Sequence, residues 1–318
     1  MKAIVYEKYG SPDVLELMEI EKPTVRDNEM LIKVQTAAVT PMDWHFMTGT
    51  PFMARIINGG LFKPKHKVLG TQVAGQVESV GGNVKRFQPG DEVFGLSEKC
   101  GGFAEYVCVP EKEAYSKPVE MSFEQAAAVH FSGMTALICL CDLGQLQSGQ
   151  RVLINGASGG VGTLAVPIAK RLGAQVTGVC STKNLELVRS LGADQVIDYT
   201  EEDFTHNGVL YNLIFDVVGK RSFSDCQRVL TPEGIYVTTE FSPGLAIKGK
   251  LISLTGSQKM IPMPPVAPKS EIRELFEELL ATGMLKPIID SCYPLSETPE
   301  AIRYYEKGHT RGRVIITV

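Results

Sequence analysis

The stretch 151–162 restricts what this chain can fold into more than any other. Val152-Leu153-Ile154 is a short apolar run of the kind that forms a buried parallel strand. Asn155-Gly156-Ala157-Ser158-Gly159-Gly160-Val161-Gly162 follows at once. Residues 163–172 then carry Leu164, Ala165, Ile168, Ala169 and Leu172 at helical spacing, and Gly173 ends the run. Strand, small-residue turn and helix make a βα unit with the spacing Ala157-x-Gly159-x-x-Gly162. Glycines in such a turn let the backbone approach a pyrophosphate, and the new helix offers it unbonded N–H groups and a positive dipole end. Ala157 stands where the first glycine usually is, a mild change because that point mainly demands a tight turn. Ala157, Ser158, Gly159, Gly160, Val161 and Gly162 are therefore the expected dinucleotide cradle.

The chain beyond this unit keeps alternating. Strands are predicted at 175–179, 195–198, 213–218 and 235–239, with helices at 184–191 and 222–230 between them. This is the pattern of a doubly wound parallel sheet. Val217, at the end of the 213–218 strand, falls on the expected cofactor side. Residues up to about 120 instead show short strands, at 2–6, 30–35, 73–80, after the Pro89-Gly90-Asp91 turn and at 102–109. Such spacing predicts a compact, barrel-like β domain. Ser122 is an expected N-cap, and the apolar stretch 126–141, broken by His130, Ser132, Gly133 and Thr135, reads as a buried helical linker too short for a bilayer. The Pro-rich stretch 260–268 reads as an irregular crossing between domains, and 270–282 as an amphipathic helix. The strand-like tail 313–318 is expected to return to the first domain. The predicted domains are thus 1–122 with 265–318, and 123–264.

A length of 318 residues allows about two domains, and a formal net charge of −4 gives no basic footprint for nucleic acid. The seven cysteines are odd in number, form no CxxC and fall partly in apolar runs, which predicts reduced thiols in a reducing compartment. No secretory signal is visible, so a cytoplasmic location is expected, with an organelle reached without a cleaved signal as the open alternative.

Six motifs occur in order: Pro89-Gly90-Asp91-Glu92-Val93, Gly102-Phe103-Ala104-Glu105-Tyr106, Gly133-Met134-Thr135-Ala136, the Ala157–Gly162 loop, Leu191-Gly192-Ala193-Asp194 and Gly312-Arg313-Val314. Together they resemble the medium-chain dehydrogenase/reductase superfamily over essentially the whole chain, and within it the zinc-free quinone oxidoreductase group. The resemblance implies a Rossmann-type sheet inserted into a GroES-like, mostly β catalytic domain, with the active site between them, and a homodimer. The superfamily's zinc ligands fall by motif on Thr40, on Thr71 and Gln72, and near Phe131. None of these suits catalytic zinc, which takes thiolate, imidazole or carboxylate donors. The four-cysteine structural lobe is also missing, since Cys100 and Cys108 have no close partners in sequence.

Without a metal, hydride transfer would favour acceptors that need little electrophilic help: a quinone, or the C=C bond of a 2-enal or enone. A third reading is an NADPH-binding structural or regulatory protein with little turnover, as in crystallin-type members of the group. Thr40, Asp43, Gln72 and Thr135 are the candidate polar groups at the reacting centre. Asp43 can equally serve as a structural hydrogen-bonder, and His130 is most simply a packed histidine. Trp44, Phe46, Phe52 and Phe62 are candidate walls for a planar substrate. Residues 50–67 are expected as a substrate-side loop, with Arg55, Lys63, Lys65 and Lys67 on a solvated face. For the cofactor, NADPH is expected over NADH. An NAD-selective site has an acid at the end of the second strand. Here Cys180-Ser181-Thr182-Lys183 stand there, and no carboxylate follows in sequence until Glu186. Ser181, Thr182 and Lys183 suit a phosphate, and the resemblance adds Tyr199 and Arg313 beside it.

Overall fold

The computed structural model describes every residue except Gly59, Phe241, Pro265 and Val266. In chain order the elements are β1 (Lys2–Val5), β2 (Glu16–Glu19), β3 (Glu29–Ala38), α1 (Pro41–Thr48), α2 (Phe52–Ile57), β4 (Gln72–Val80), β5 (Glu92–Leu96), β6 (Tyr106–Pro110), β7 (Ala114–Ser116) and α3 (Phe123–Leu137). Then come β8 (Arg151–Asn155), α4 (Gly162–Arg171), β9 (Gln175–Cys180), α5 (Leu185–Ser190), β10 (Gln195–Asp198), β11 (Tyr211–Asp216), α6 (Phe223–Gln227), β12 (Leu230–Thr238), α7 (Pro243–Thr255), β13 (Lys259–Pro262) and α8 (Ser270–Ala281). The last are β14 (Ile289–Pro294), α9 (Thr298–Glu306) and β15 (Arg313–Thr317). They form two compact units, Met1–Phe131 with Pro287–Val318, and Ser132–Lys286. These divisions differ from 122/123 and 264/265, because the first falls inside the continuous helix α3 and the second leaves α8 with the parallel sheet.

The first unit is the GroES-like domain. Its main sheet runs β14-β15-β3-β4-β5-β7, with β6 also on β3. β15 lies antiparallel to β3, with Ile315 opposite Ala38, so the tail returns to the first domain as its pattern predicts. Inward residues of these strands, among them Ile32, Val34, Val73, Val93, Val107 and Val314, close one core with Phe103 and Tyr6. Strand β6 begins only at Tyr106, not at residue 102. The N–H groups of Gly102 and Phe103 are taken by the carbonyls of Gly70 and Leu69 instead.

The second unit is the Rossmann domain. Its six strands are all parallel, in the order β10-β9-β8-β11-β12-β13. The order reverses between β8 and β11, the switch point at which open α/β sheets bind ligands. Two expectations change here. Residues 259–262 are an edge strand rather than part of an irregular crossing, since Pro262 ends β13 where no further ladder donor is needed. The rest of that stretch includes Pro265 and Val266, outside the described residues. The helix expected at 222–230 stops at Gln227, because Leu230 already pairs with Tyr211 in β12.

Ser122 caps α3, accepting from Gln125 N at 3.3 Å while its own N–H donates to Gln125 Oε1 at 3.1 Å. The helix continues as a π-helical turn through Leu143, so 21 residues are long and apolar enough to cross a bilayer, contrary to the shorter run expected. Among the described residues it is the one such helix, and 78% of its apolar window is buried within the protein, as in a core helix.

Candidate active and cofactor sites

The tight turn of the glycine loop is made one residue earlier than its usual place. Gly156 takes φ +89°, while the buried Ala157 donates its N–H to Val179 O at 3.0 Å. Gly156 thus does what the missing first glycine would do. A Cβ on Gly162 would lie 2.1 Å from Gly156 O and 2.6 Å from Ala157 Cα, so α4 can approach β8 only with glycine there. A Cβ on Gly159 would meet nothing nearer than Gly156 O at 3.5 Å, leaving a face open to a ligand. Among the described residues, the N–H groups of Gly160, Val161 and Gly162 have no protein acceptor. They are the orphan donors of a helix start, and they suit a pyrophosphate. Val217 joins this edge through its N–H to Asn155 O at 3.1 Å.

Sequence reasoning missed the side chains that fix this edge. Asp216, fully buried at the end of β11, accepts from Asn155 Nδ2 at 2.9 Å, from the N–H groups of Val218 and Gly219 at 2.9 and 3.0 Å, and from Tyr236 Oη at 2.8 Å. A lone carboxylate ending an otherwise apolar strand was the available signal. Asn184, also buried, donates to Ser158 Oγ at 3.2 Å and to Ser181 Oγ at 3.3 Å, tying the glycine loop to the turn after β9.

That turn gathers Ser181, Thr182, Lys183 and Tyr199. Tyr199 N donates to Cys180 O at 3.0 Å, and Lys183 lies exposed in a single 3-10 turn, Thr182–Asn184. It also holds a carboxylate, contrary to the sequence spacing, because β10 pairs Asp198 with Cys180. Asp198 sits below its usual carboxylate range, first through the Thr182 hydroxyl, and accepts from Thr200 Oγ1 at 2.7 Å. Thr182 is thereby engaged with Asp198, while Lys183 is exposed beside Ser181. Arg313, expected beside them, is instead buried in the first unit, with its guanidinium 5.3 Å from the Phe131 ring centroid. A cation enclosed by its own core has no open face for a phosphate.

In the first unit, Thr40, Asp43 and Gln72 come together where β3 and β4 end, with Gln72 opposite Ala38. Asp43 Oδ2 accepts from Thr40 N at 2.8 Å and from Thr40 Oγ1 at 2.7 Å, and Oδ1 accepts from Gly70 N at 2.9 Å. Burial pushes the Asp43 carboxyl up to about 6 against these donors and nearby Arg313. Asp43 is thus a positioning residue that caps α1 and ties it to the loop before β4. The Thr40 proton is committed to it, so Thr40 offers only an acceptor. His130 Nδ1 meets Gln72 Oε1 at 3.1 Å, and because an amide oxygen only accepts, Nδ1 carries the proton. His130 is buried against Tyr115 and Phe94, the packed histidine that was expected. Gln72 keeps its amide N–H groups as donors. Thr135 is buried on α3 in the second unit.

The four aromatic residues do not form a wall. Phe46 belongs to the core, Trp44 donates Nε1–H to Glu306 Oε1 at 2.6 Å beside that core, and Phe52 and Phe62 are 61% and 94% exposed. Residues 52–57 are a helix rather than loop. The zinc positions do not fit a metal either. The Thr40 hydroxyl is spent on Asp43, Thr71 brings only a buried hydroxyl, Phe131 brings a phenyl ring, and burial pushes the Cys100 thiol up to about 12.

Two family models match, the alcohol dehydrogenase GroES-like domain over residues 26–119 and the zinc-binding dehydrogenase over residues 191–316. The chloroplast envelope quinone oxidoreductase homolog of Arabidopsis thaliana is 32% identical, covering 99% of this chain and 98% of the relative. The NADPH-dependent alkenal/one oxidoreductase of the same plant is 33% identical, over 99% and 79%. The solved quinone oxidoreductase of Coxiella burnetii superposes with a TM-score of 0.89 at 30% identity, covering 100% of this chain and 99% of the other. With the glycine loop, the parallel switch point and the GroES-like sheet all in place, the chain belongs to the quinone oxidoreductase group of the medium-chain dehydrogenase/reductase superfamily and is an NADPH oxidoreductase.

Proposed function

We propose that this oxidoreductase passes hydride from NADPH to a quinone without zinc. The observation that carries this is the side-chain set at Thr40, Thr71 and Phe131, which offers no Lewis-acid site, in a chain whose glycine loop suits a dinucleotide. Bound NADPH supplies the hydride. The N–H groups of Gly160, Val161 and Gly162 hold the pyrophosphate, and Ser181 and Lys183 hold the 2′-phosphate. Gln72 and Thr135, each in its own unit, are the candidate donors to the oxygen that gains charge, while Asp43 fixes the loop that carries Thr40. With no metal to polarise an isolated carbonyl, a quinone is favoured because its product is aromatic. The unpaired state of all seven cysteines supports action in a reducing compartment.

The 33% identity to an alkenal/one oxidoreductase favours a second reading, reduction of the C=C bond of 2-enals or enones at the same site. The test is NADPH oxidation with ortho- and para-quinones beside enals and enones, with product analysis. Turnover of quinones is expected. Turnover of enones alone would transfer the assignment to the second reading, and turnover of nothing would leave a cofactor-binding protein.

A further inference from the structure

Residues 52–57 and 61–65 carry several exposed apolar side chains of the first unit. Phe52, Met53, Ile56 and Ile57 occupy positions i, i+1, i+4 and i+5 of α2, one stripe of that helix, and all are exposed. Leu61 and Phe62, four and five residues after Ile57, are exposed as well. The inner side is anchored. Ala54 is buried, Asn58 Nδ2 donates to Tyr6 Oη at 2.7 Å, and Arg55 Nε donates to Gly49 O at 3.1 Å with its guanidinium over Tyr9. Tyr9 Oη also bonds Gly60 O. The outward stripe is therefore presented by a fixed base. Contiguous apolar exposure of this kind marks an interaction surface.

Its charge is one-sided. From Trp44 to Val77 the chain contains no aspartate or glutamate, while Arg55, Lys63, Lys65 and Lys67 are present. Lys67 is paired with Glu7 at 2.7 Å, and Lys63 and Lys65 are exposed next to Phe62. In a chain of net charge −4, this is a local cationic and apolar patch. An occupant must meet both characters at once. A second copy bound through the same patch would set Lys63 and Lys65 against their own counterparts, with Glu7, already held by Lys67, as the carboxylate beside them. An anionic bilayer interface meets both, taking aromatic and aliphatic side chains among its acyl chains and lysines at its headgroups.

We propose that the exposed side chains of residues 52–57 and 61–65 dock the protein on an anionic lipid surface. The proposal stands apart from the identity of the acceptor. The test is co-sedimentation of the full chain with phosphatidylcholine vesicles, with and without phosphatidylglycerol, at low and high salt. Binding is expected to the anionic vesicles and to fall as salt rises. Lys63→Glu with Lys65→Glu should weaken it by roughly thirtyfold or more. Ile56→Ser with Ile57→Ser should weaken it at every salt concentration. Melting temperature and NADPH affinity should hold in both variants, which separates lost docking from lost fold. No binding to anionic vesicles, equal binding to pure phosphatidylcholine, or unchanged binding by the lysine variant would overturn the proposal. So would a variant that only changes the oligomeric state, which would give the surface to a second copy. Vesicle binding without turnover of any acceptor would count against the quinone reading and leave this one standing.

Discussion

Lys183 sits in a turn that opens a helix, where a cation is unfavourable unless an anion lies nearby. Asp198 already engages Thr182, so in the proposed site Lys183 and Ser181 are the residues assigned to the 2′-phosphate. A charge-assisted hydrogen bond contributes about 1.5–3 kcal/mol. Lys183→Ala should therefore weaken NADPH binding about ten- to a hundredfold and leave NADH, which lacks the phosphate, nearly unchanged. Equal losses for the two cofactors would remove Lys183 from the phosphate site. Asp43 yields a second test, in pH. Its carboxyl titrates at about 6 in the folded chain against an ordinary 3.8, because burial disfavours its charge. Between these values the native state keeps a proton that the unfolded chain has released. Stability from this group is thus fully present below about pH 3.8, is lost as pH rises through about 6, and levels off above that, a change of roughly 3 kcal/mol in all. Asp43→Asn cannot titrate, so wild type should lose that much relative to the variant across the window. Urea unfolding at several pH values measures it, and a constant difference would mean that Asp43 titrates as an ordinary carboxyl.

At the scale of elements, the parallel strands were legible because buried strands read as short apolar runs, and their turns are punctuated by glycine. Helices α1 and α2 were not. α1 has little apolar periodicity and is held by the reciprocal Thr40–Asp43 cap, while α2 turns its apolar residues outward, the reverse of a core-facing pattern. The glycine loop separates two roles that its spacing alone merges. Gly162 is required by the fold, since any Cβ there strikes backbone of Gly156 and Ala157. Gly159 has room, so the fold itself does not require glycine there. Gly162→Ala should destabilise the protein by about 1–3 kcal/mol, as overpacking does. Gly159→Ala should leave the melting temperature unchanged and weaken NADPH binding at least about tenfold by blocking close backbone approach. Thermal melts beside cofactor titrations check both, and a Gly159→Ala protein that binds NADPH normally would show that the pyrophosphate lies elsewhere.

Across the whole molecule, what could be read from sequence was what is local in sequence. The Ala157–Gly162 loop and the Cys180–Lys183 turn are continuous segments, whereas Asp198 reaches that turn by strand register and Asp216 meets Asn155 and Tyr236 only after three strands align. The metal question is also one for the whole chain, since a catalytic zinc draws three protein ligands from distant segments. Among the described residues no three His, Cys, Asp or Glu side chains gather as a metal group, and likeness to the zinc-binding dehydrogenases does not change the donors at Thr40, Thr71 and Phe131. The nearest carboxylate to Thr40, that of Asp43, is occupied by three donors. Purified protein is accordingly expected to contain no stoichiometric zinc by elemental analysis, and NADPH oxidation with a quinone should be indifferent to a chelator. A saturated ketone or aldehyde should turn over far more slowly than a quinone, because nothing in this side-chain set polarises an isolated carbonyl as a Lewis acid would. Stoichiometric zinc whose removal abolishes turnover would place the metal on donors other than these three and would return isolated carbonyls to the range of acceptors.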